Sequence, residues 1–99
     1  MDRIERLCAW YESQCKDEWQ EEYGISITSL DNPGWRVTVD LTRTSLENAV
    51  FEDIEKENST TDWCFIKKQG KVFEAFGGVF NLAEILDIFL IWSENKDVT

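Results

Sequence analysis

"TSLDNPGWRV", Thr28 to Val37, carries the chain's only proline and one of its five tryptophans, and it separates two runs that alternate apolar with polar residues. Upstream, Ile25 and Ile27 alternate with Ser26 and Thr28 before Leu30; downstream, Trp35, Val37, Val39 and Leu41 alternate with Arg36, Thr38 and Asp40. A period of two in β-branched and aromatic residues marks strands with one buried and one wet face. The stretch therefore reads as the corner of an antiparallel pair. Asn32 stays extended because it precedes proline, Pro33 presets φ at the second turn position, and Gly34 is expected to supply the positive φ of a type II turn. Asp31 can bond back to the turn amides, and Trp35 is expected to enter the core.

On the N-terminal side, from Asp2 to about Lys16, Ile4, Leu7, Cys8, Tyr11 and Cys15 fall on one helical stripe. Trp10 lies off it, which means either a wide buried face or an exposed aromatic. On the C-terminal side "LTRTSLENA" reads as an irregular link and Val50 to Glu55 as a third strand with Phe51 and Ile54 inward. The unbroken apolar run Trp63, Cys64, Phe65 and Ile66 suggests a central strand buried on both faces. "KKQGK" closes a hairpin onto Val72 to Phe76. Gly77 and Gly78 then break the sheet, and Asn81 with Glu84 three residues on resembles a capping box for a helix from Leu82 to about Ser93. That helix carries Leu82, Ile85, Leu86, Phe89 and Trp92 on one stripe, with Ile88, Leu90 and Ile91 spreading beyond it, more breadth than one sheet face requires. The expected fold is α+β: an N-terminal helix, about five mostly antiparallel strands and a C-terminal helix, both helices on one sheet face.

Ninety-nine residues fit one domain, residues 1–99, with no linker. Hydrophobic residues at 42% and aromatics at 13% are ample for its core. No stretch approaches the roughly 18 apolar residues of a membrane span, and "MDRIERLCAWYES" is unlike a signal peptide, so a cytoplasmic protein is expected. Cys8 and Cys15 would stand two helical turns apart, about 10 Å, too far for a disulfide, and all three cysteines read as reduced structural thiols.

The formal net charge is -10, which disfavours nucleic acid or an anionic membrane as partner and favours a basic protein. The chain has no histidine, which removes the usual base of hydrolase triads and the commonest metal ligand. A cysteine nucleophile lacks a cationic neighbourhood. Four acids in the six residues Asp17 to Glu22 match no calcium loop. No catalytic residue, cofactor or metal is expected. What remains is an acidic surface: Glu12, Asp17, Glu18, Glu21 and Glu22 in one group, Glu47, Glu52, Asp53, Glu55 and Glu57 in another, with Trp19 inside the first group as a candidate interface anchor or as cover for the core beneath the first helix.

Trp10 to Glu47 resembles the immunity protein 53 family, bacterial proteins of polymorphic toxin systems. The likeness continues more loosely through "DWCFIK" and "LAEILDIFLIW". Its most specific element is Tyr23-Gly24 followed at fixed spacing by Leu30-Asp31-Asn32-Pro33-Gly34-Trp35. In the family pattern the tryptophan at position 19 is usually followed by Glu and His, where this chain has Gln20 and Glu21, so no role is carried over for that pair. The resemblance implies a small cytosolic protein that binds and neutralises a cognate toxin, often a nuclease. The expected function is thus a non-enzymatic toxin inhibitor acting through an acidic surface. The alternative is a structural or regulatory module that self-associates, as a homodimer, through the apolar excess of the C-terminal helix.

Overall fold

At the corner that organises the sheet, Leu30 faces Gly34, so Asp31, Asn32 and Pro33 form a three-residue turn and Gly34 is already the first residue of the next strand. The computed structural model describes residues 1–96. Its elements are α1 (Arg3–Gln14), α2 (Trp19–Glu22), β1 (Ile25–Leu30), β2 (Gly34–Asp40), β3 (Ile54–Glu57), β4 (Trp63–Gln69), β5 (Val72–Gly77) and α3 (Leu82–Lys96). The strands make one sheet in the order β1-β2-β5-β4-β3, every neighbouring pair antiparallel.

Gly34 corrects the expectation of a positive φ: the positive-φ glycines are Gly24 and Gly70. Space is the reason for glycine here. A β-carbon at position 34 would run into the Gly77 carbonyl and lie 3.4 Å from the Trp63 ring, so only glycine lets β2 and β5 approach under that indole. In the "KKQGK" hairpin Gly70, at φ 62°, does take a positive φ, with Lys71 completing a two-residue turn between Gln69 and Val72.

Three other expectations need correction. The third strand begins at Ile54 rather than Val50; Phe51 still packs inward, edge-on to Phe73 and Trp92, from the segment before it. β5, not β4, occupies the middle of the sheet, and β4 alternates between buried Cys64 and Ile66 and half-buried Trp63 and Phe65. The link after β2 is no irregular filler: Leu41 and Leu46 are completely buried, and the Thr44 hydroxyl donates to the Leu41 carbonyl while accepting the Leu46 N–H.

Register divides the sheet into two faces. Ile27, Val37, Ala75, Ile66 and Ile54 form one row across all five strands on the side that carries the core. Trp35 belongs to this side but stops at its rim, half-buried, its indole N–H donating to the Val79 carbonyl at 3.0 Å. α3 lies on the core side through Ile85, Leu86, Phe89, Leu90 and Trp92. Gly77 allows that approach, since a β-carbon there would come within 2.7 Å of Ile85 Cδ1.

α1 packs against α3. Its N-terminus is closed by an Asp2 to Glu5 capping box, and Arg3 and Arg6 fork onto Asp87 and Glu94 of α3. In this orientation of the helix Trp10 points inward and Ile4 outward, 55% exposed, and the two exposed forks add little to the burial of the Trp10 ring. The stripe expected from Ile4 to Cys15 is therefore not the buried face. Trp10 instead meets Phe89 and Trp19 edge-on. The breadth of α3 has the same origin: Leu90 turns toward the α1 side, and the Trp92 indole donates to the Val50 carbonyl at 2.9 Å. Ile91, at 55%, stays exposed.

Candidate functional site: an acid-rimmed open sheet face

α1 and α3 share one side of the sheet, and among the described residues no element covers the other. The row Glu55, Phe65, Phe76, Arg36 and Thr28 crosses all five strands on this open side, next to the row Glu57 and Trp63. Three half-buried aromatics are thus contiguous here, with Trp63 and Phe65 ring centroids 5.7 Å apart. A wet sheet face is ordinarily filled with Thr, Lys and Glu; aromatic side chains there with a charged border match the composition of contact surfaces.

Two clefts meet at Phe65. One, of about 530 Å³, is bounded by Asn32, Glu57, Asn58 and Trp63; the other, of about 350 Å³, by Asp53, Glu55, Lys67, Glu74 and Phe76. Arg36 occupies part of this face, with its guanidinium 5.7 Å from the Phe76 centroid and 3.0 Å from the Glu74 carboxylate. The face therefore already holds a cation between a ring and an acid.

The acids expected to form one surface lie at opposite ends of the sheet. Glu12, Asp17, Glu18, Glu21 and Glu22 surround the α1–α2 turn that feeds β1, whereas Glu52, Asp53 and Glu55 precede or lie in β3. β1 and β3 are the two edge strands, separated by about 19 Å at the usual strand spacing. These eight are exposed, as is Glu57, and among the described residues none of their carboxylates takes part in an ion pair, whereas Glu47 of the second group is half-buried and lies 3.5 Å from Lys71. By contrast, Arg3, Arg6, Arg36, Lys56 and Lys71 each bind a carboxylate of the chain itself. The exposed unpaired carboxylates therefore dominate the field at the two sheet edges.

Trp19 settles on the core. It is 1% exposed, and its indole N–H donates to the Thr42 carbonyl at 2.7 Å, so the ring covers the core beneath the first helix. Around it the backbone is held in the left-handed region at Asp17, Glu18 and Arg43. Arg43 ties these segments together by donating to the Asp17 carbonyl while lying 5.5 Å over the Tyr23 ring.

At the β3 end, Asn81 organises a polar cluster. The Trp63 N–H needs an acceptor and two carboxylates need donors, so the Asn81 amide presents Oδ1 to Trp63 and Nδ2 to Asp62 and Glu84. It is therefore a hub rather than the simple cap the sequence suggests. Lys56 Nζ lies 2.9 Å from Asp62 and 2.8 Å from Glu84. The Asn81 amide first, and Asn58 and Lys56 with it, hold the Asp62 carboxyl well below its usual range; Lys56 and Asn81 lower Glu84; the two acids raise the Lys56 ammonium. These groups bond to one another, which makes the cluster a brace between β3, β4 and α3.

No cluster of three or more Cys, Asp or Glu side chains among the described residues could hold a metal ion. None of the three cysteines is bonded to another: Cys8 is exposed, Cys15 half-buried, and Cys64 buried with its thiol pKa pushed up by desolvation. No helix among the described residues is long and apolar enough to cross a membrane.

Fold and surface together define a two-layer α+β protein whose helices cover one sheet face and whose other face is aromatic with an acidic border. The family model described as Immunity protein 53 matches residues 4–94, and the chain belongs to that family. Neither the curated proteins nor the solved structures gave a match.

The sequence pointed to the acids and missed the aromatics. Phe65 sat in an apolar run read as buried on both sides, and Phe76 in a returning strand. The signal was the pairing of each aromatic with an apolar core residue one position away, Trp63 with Cys64 and Phe65 with Ile66, but only the register places Glu55, Phe65 and Phe76 side by side.

Proposed function

We propose that this chain neutralises a cognate bacterial toxin by binding it, without chemistry of its own, and that it acts inside the producing cell. The observation that carries this reading is the match to the immunity protein family over residues 4–94, since an immunity protein is defined by protection against a toxin. The charge distribution supports it. With a net charge of -10 and exposed unpaired carboxylates at both sheet edges, the surface attracts a basic domain and speeds its encounter. A toxin that handles nucleic acid would present such a basic cleft, and the carboxylates would stand where phosphates lie.

The test is co-expression with the toxin domain encoded beside it. The expected result is rescued growth and a complex that survives gel filtration. Failure of both would overturn the reading.

A further inference from the structure

We propose that the open sheet face, centred on Phe65 and bordered by Asp53, Glu55 and Glu57, is the surface that contacts the toxin, and that it receives an arginine or lysine side chain of that partner. The inference rests on the toxin-binding reading above and assigns it a place.

The argument starts from an arrangement this chain makes with its own residues. Arg36 lies over Phe76 and pairs with Glu74 on the neighbouring strand, so a guanidinium on this face is held by a ring beneath and a carboxylate beside it. One strand along the same row, Phe65 has Glu55 directly across from it, and the adjacent row adds Glu57. The ring and the acids recur without a cation over the ring: Lys67 lines the same cleft, but among the described residues the cation–π contacts are Arg36 on Phe76 and Arg43 on Tyr23. Neither Asp53, Glu55 nor Glu57 is in an ion pair there, in contrast to Glu74.

Charge complementarity then fixes the occupant. Three acids share this face with one ammonium unpaired among the described residues, Lys67, so a purely apolar partner would leave a net negative charge facing it and an acidic one would be repelled, whereas a cation flanked by aliphatic carbon satisfies acids and rings together. The clefts on either side of Phe65 give room for such side chains. The acids near α2 differ in kind. They lie at the far edge of the sheet beside exposed Tyr11 and half-buried Tyr23, and there the Tyr23 ring already carries the chain's own Arg43, so these acids steer a basic partner while the ring beside them is taken.

Steering and contact separate kinetically: charge at a distance alters association, while contacts made in the complex alter dissociation. The experiment measures both rates against the toxin domain encoded beside this gene, for Phe65→Ala and for Glu55→Gln with Glu57→Gln, the second being a surface change that leaves packing intact. Thermal melts confirm that each variant is folded. Dissociation is expected to quicken roughly tenfold or more in both. Dissociation rates within about twofold of the unaltered protein in both would place the contact elsewhere and overturn the inference while leaving the toxin-binding reading standing. An unaltered protein that binds no toxin would overturn that reading, and the inference with it.

Discussion

Trp10 and Phe89 join the two long helices at a right angle, ring centroids 5.0 Å apart and planes at 90°, and the Trp10 indole N–H is buried there with no hydrogen-bond partner. An unpaired buried donor costs about 1–3 kcal/mol, which offsets much of what the ring gains by packing. Trp10→Phe removes that donor together with some volume. It is expected to change unfolding free energy by less than about 1 kcal/mol in urea titrations, while Trp19→Phe, which strands the Thr42 carbonyl, costs about 2 kcal/mol or more. Equal losses would mean that volume alone decides both sites.

Gly34 and Gly70 are glycines for different reasons, and alanine separates them. At Gly34 the added carbon meets the Gly77 carbonyl between two paired strands, an overpacking expected to cost about 2 kcal/mol, on the order of 10 °C in Tm for a chain of this size. At Gly70 nothing lies within 4 Å, and only the left-handed backbone is penalised, about 1 kcal/mol. A Gly34→Ala protein that melts no lower than Gly70→Ala would refute the steric account.

The cluster around Asn81 makes stability depend on pH in a stated direction. Asp62 and Glu84 have lowered values in the folded protein, so their contribution is present above the unfolded carboxylate range near pH 4 and is lost as pH falls through the folded values. Lys56 is raised, so its contribution is complete below roughly pH 10.4 and is lost only as pH rises through the higher folded value. Urea midpoints should accordingly fall between pH 5 and pH 2. In Lys56→Met the fall should be shallower, because the carboxylates then lose a cation that favours their charged form. Parallel profiles for the two proteins would show that the cluster is not coupled to folding.

The acids beside α2 should act at a distance. Glu12→Lys with Glu21→Lys and Glu22→Lys leaves the left-handed residues Asp17 and Glu18 untouched and reverses the local field. Association with the toxin is expected to slow roughly tenfold at low salt and to depend less steeply on ionic strength, with dissociation unchanged. A faster dissociation in stopped-flow or surface-binding traces would bring these acids into the contact itself.

Much of this molecule was legible in local sequence. The alternation on either side of Pro33, the glycine of the β4–β5 hairpin and the helical periods of Arg3–Gln14 and Leu82–Lys96 are settled by interactions reaching only a few residues along the chain, so their reading as strand, turn and helix stands. The family string from Tyr23 to Trp35 lies in that same local grammar, and with it came the expectation of an immunity protein. Which side of each element would be buried was a different matter. The roll of α1 follows the burial of Trp10 against Phe89, seventy-nine residues away, and the burial of Trp19 depends on the Thr42 carbonyl across the fold. Gly34 is decided by Gly77 and Trp63 on other strands. Periodicity says that a strand has two faces; only the packing of two helices on the same side decided that Phe65 and Phe76 would stay open beside Glu55, and only the strand order put the two acidic groups at opposite edges.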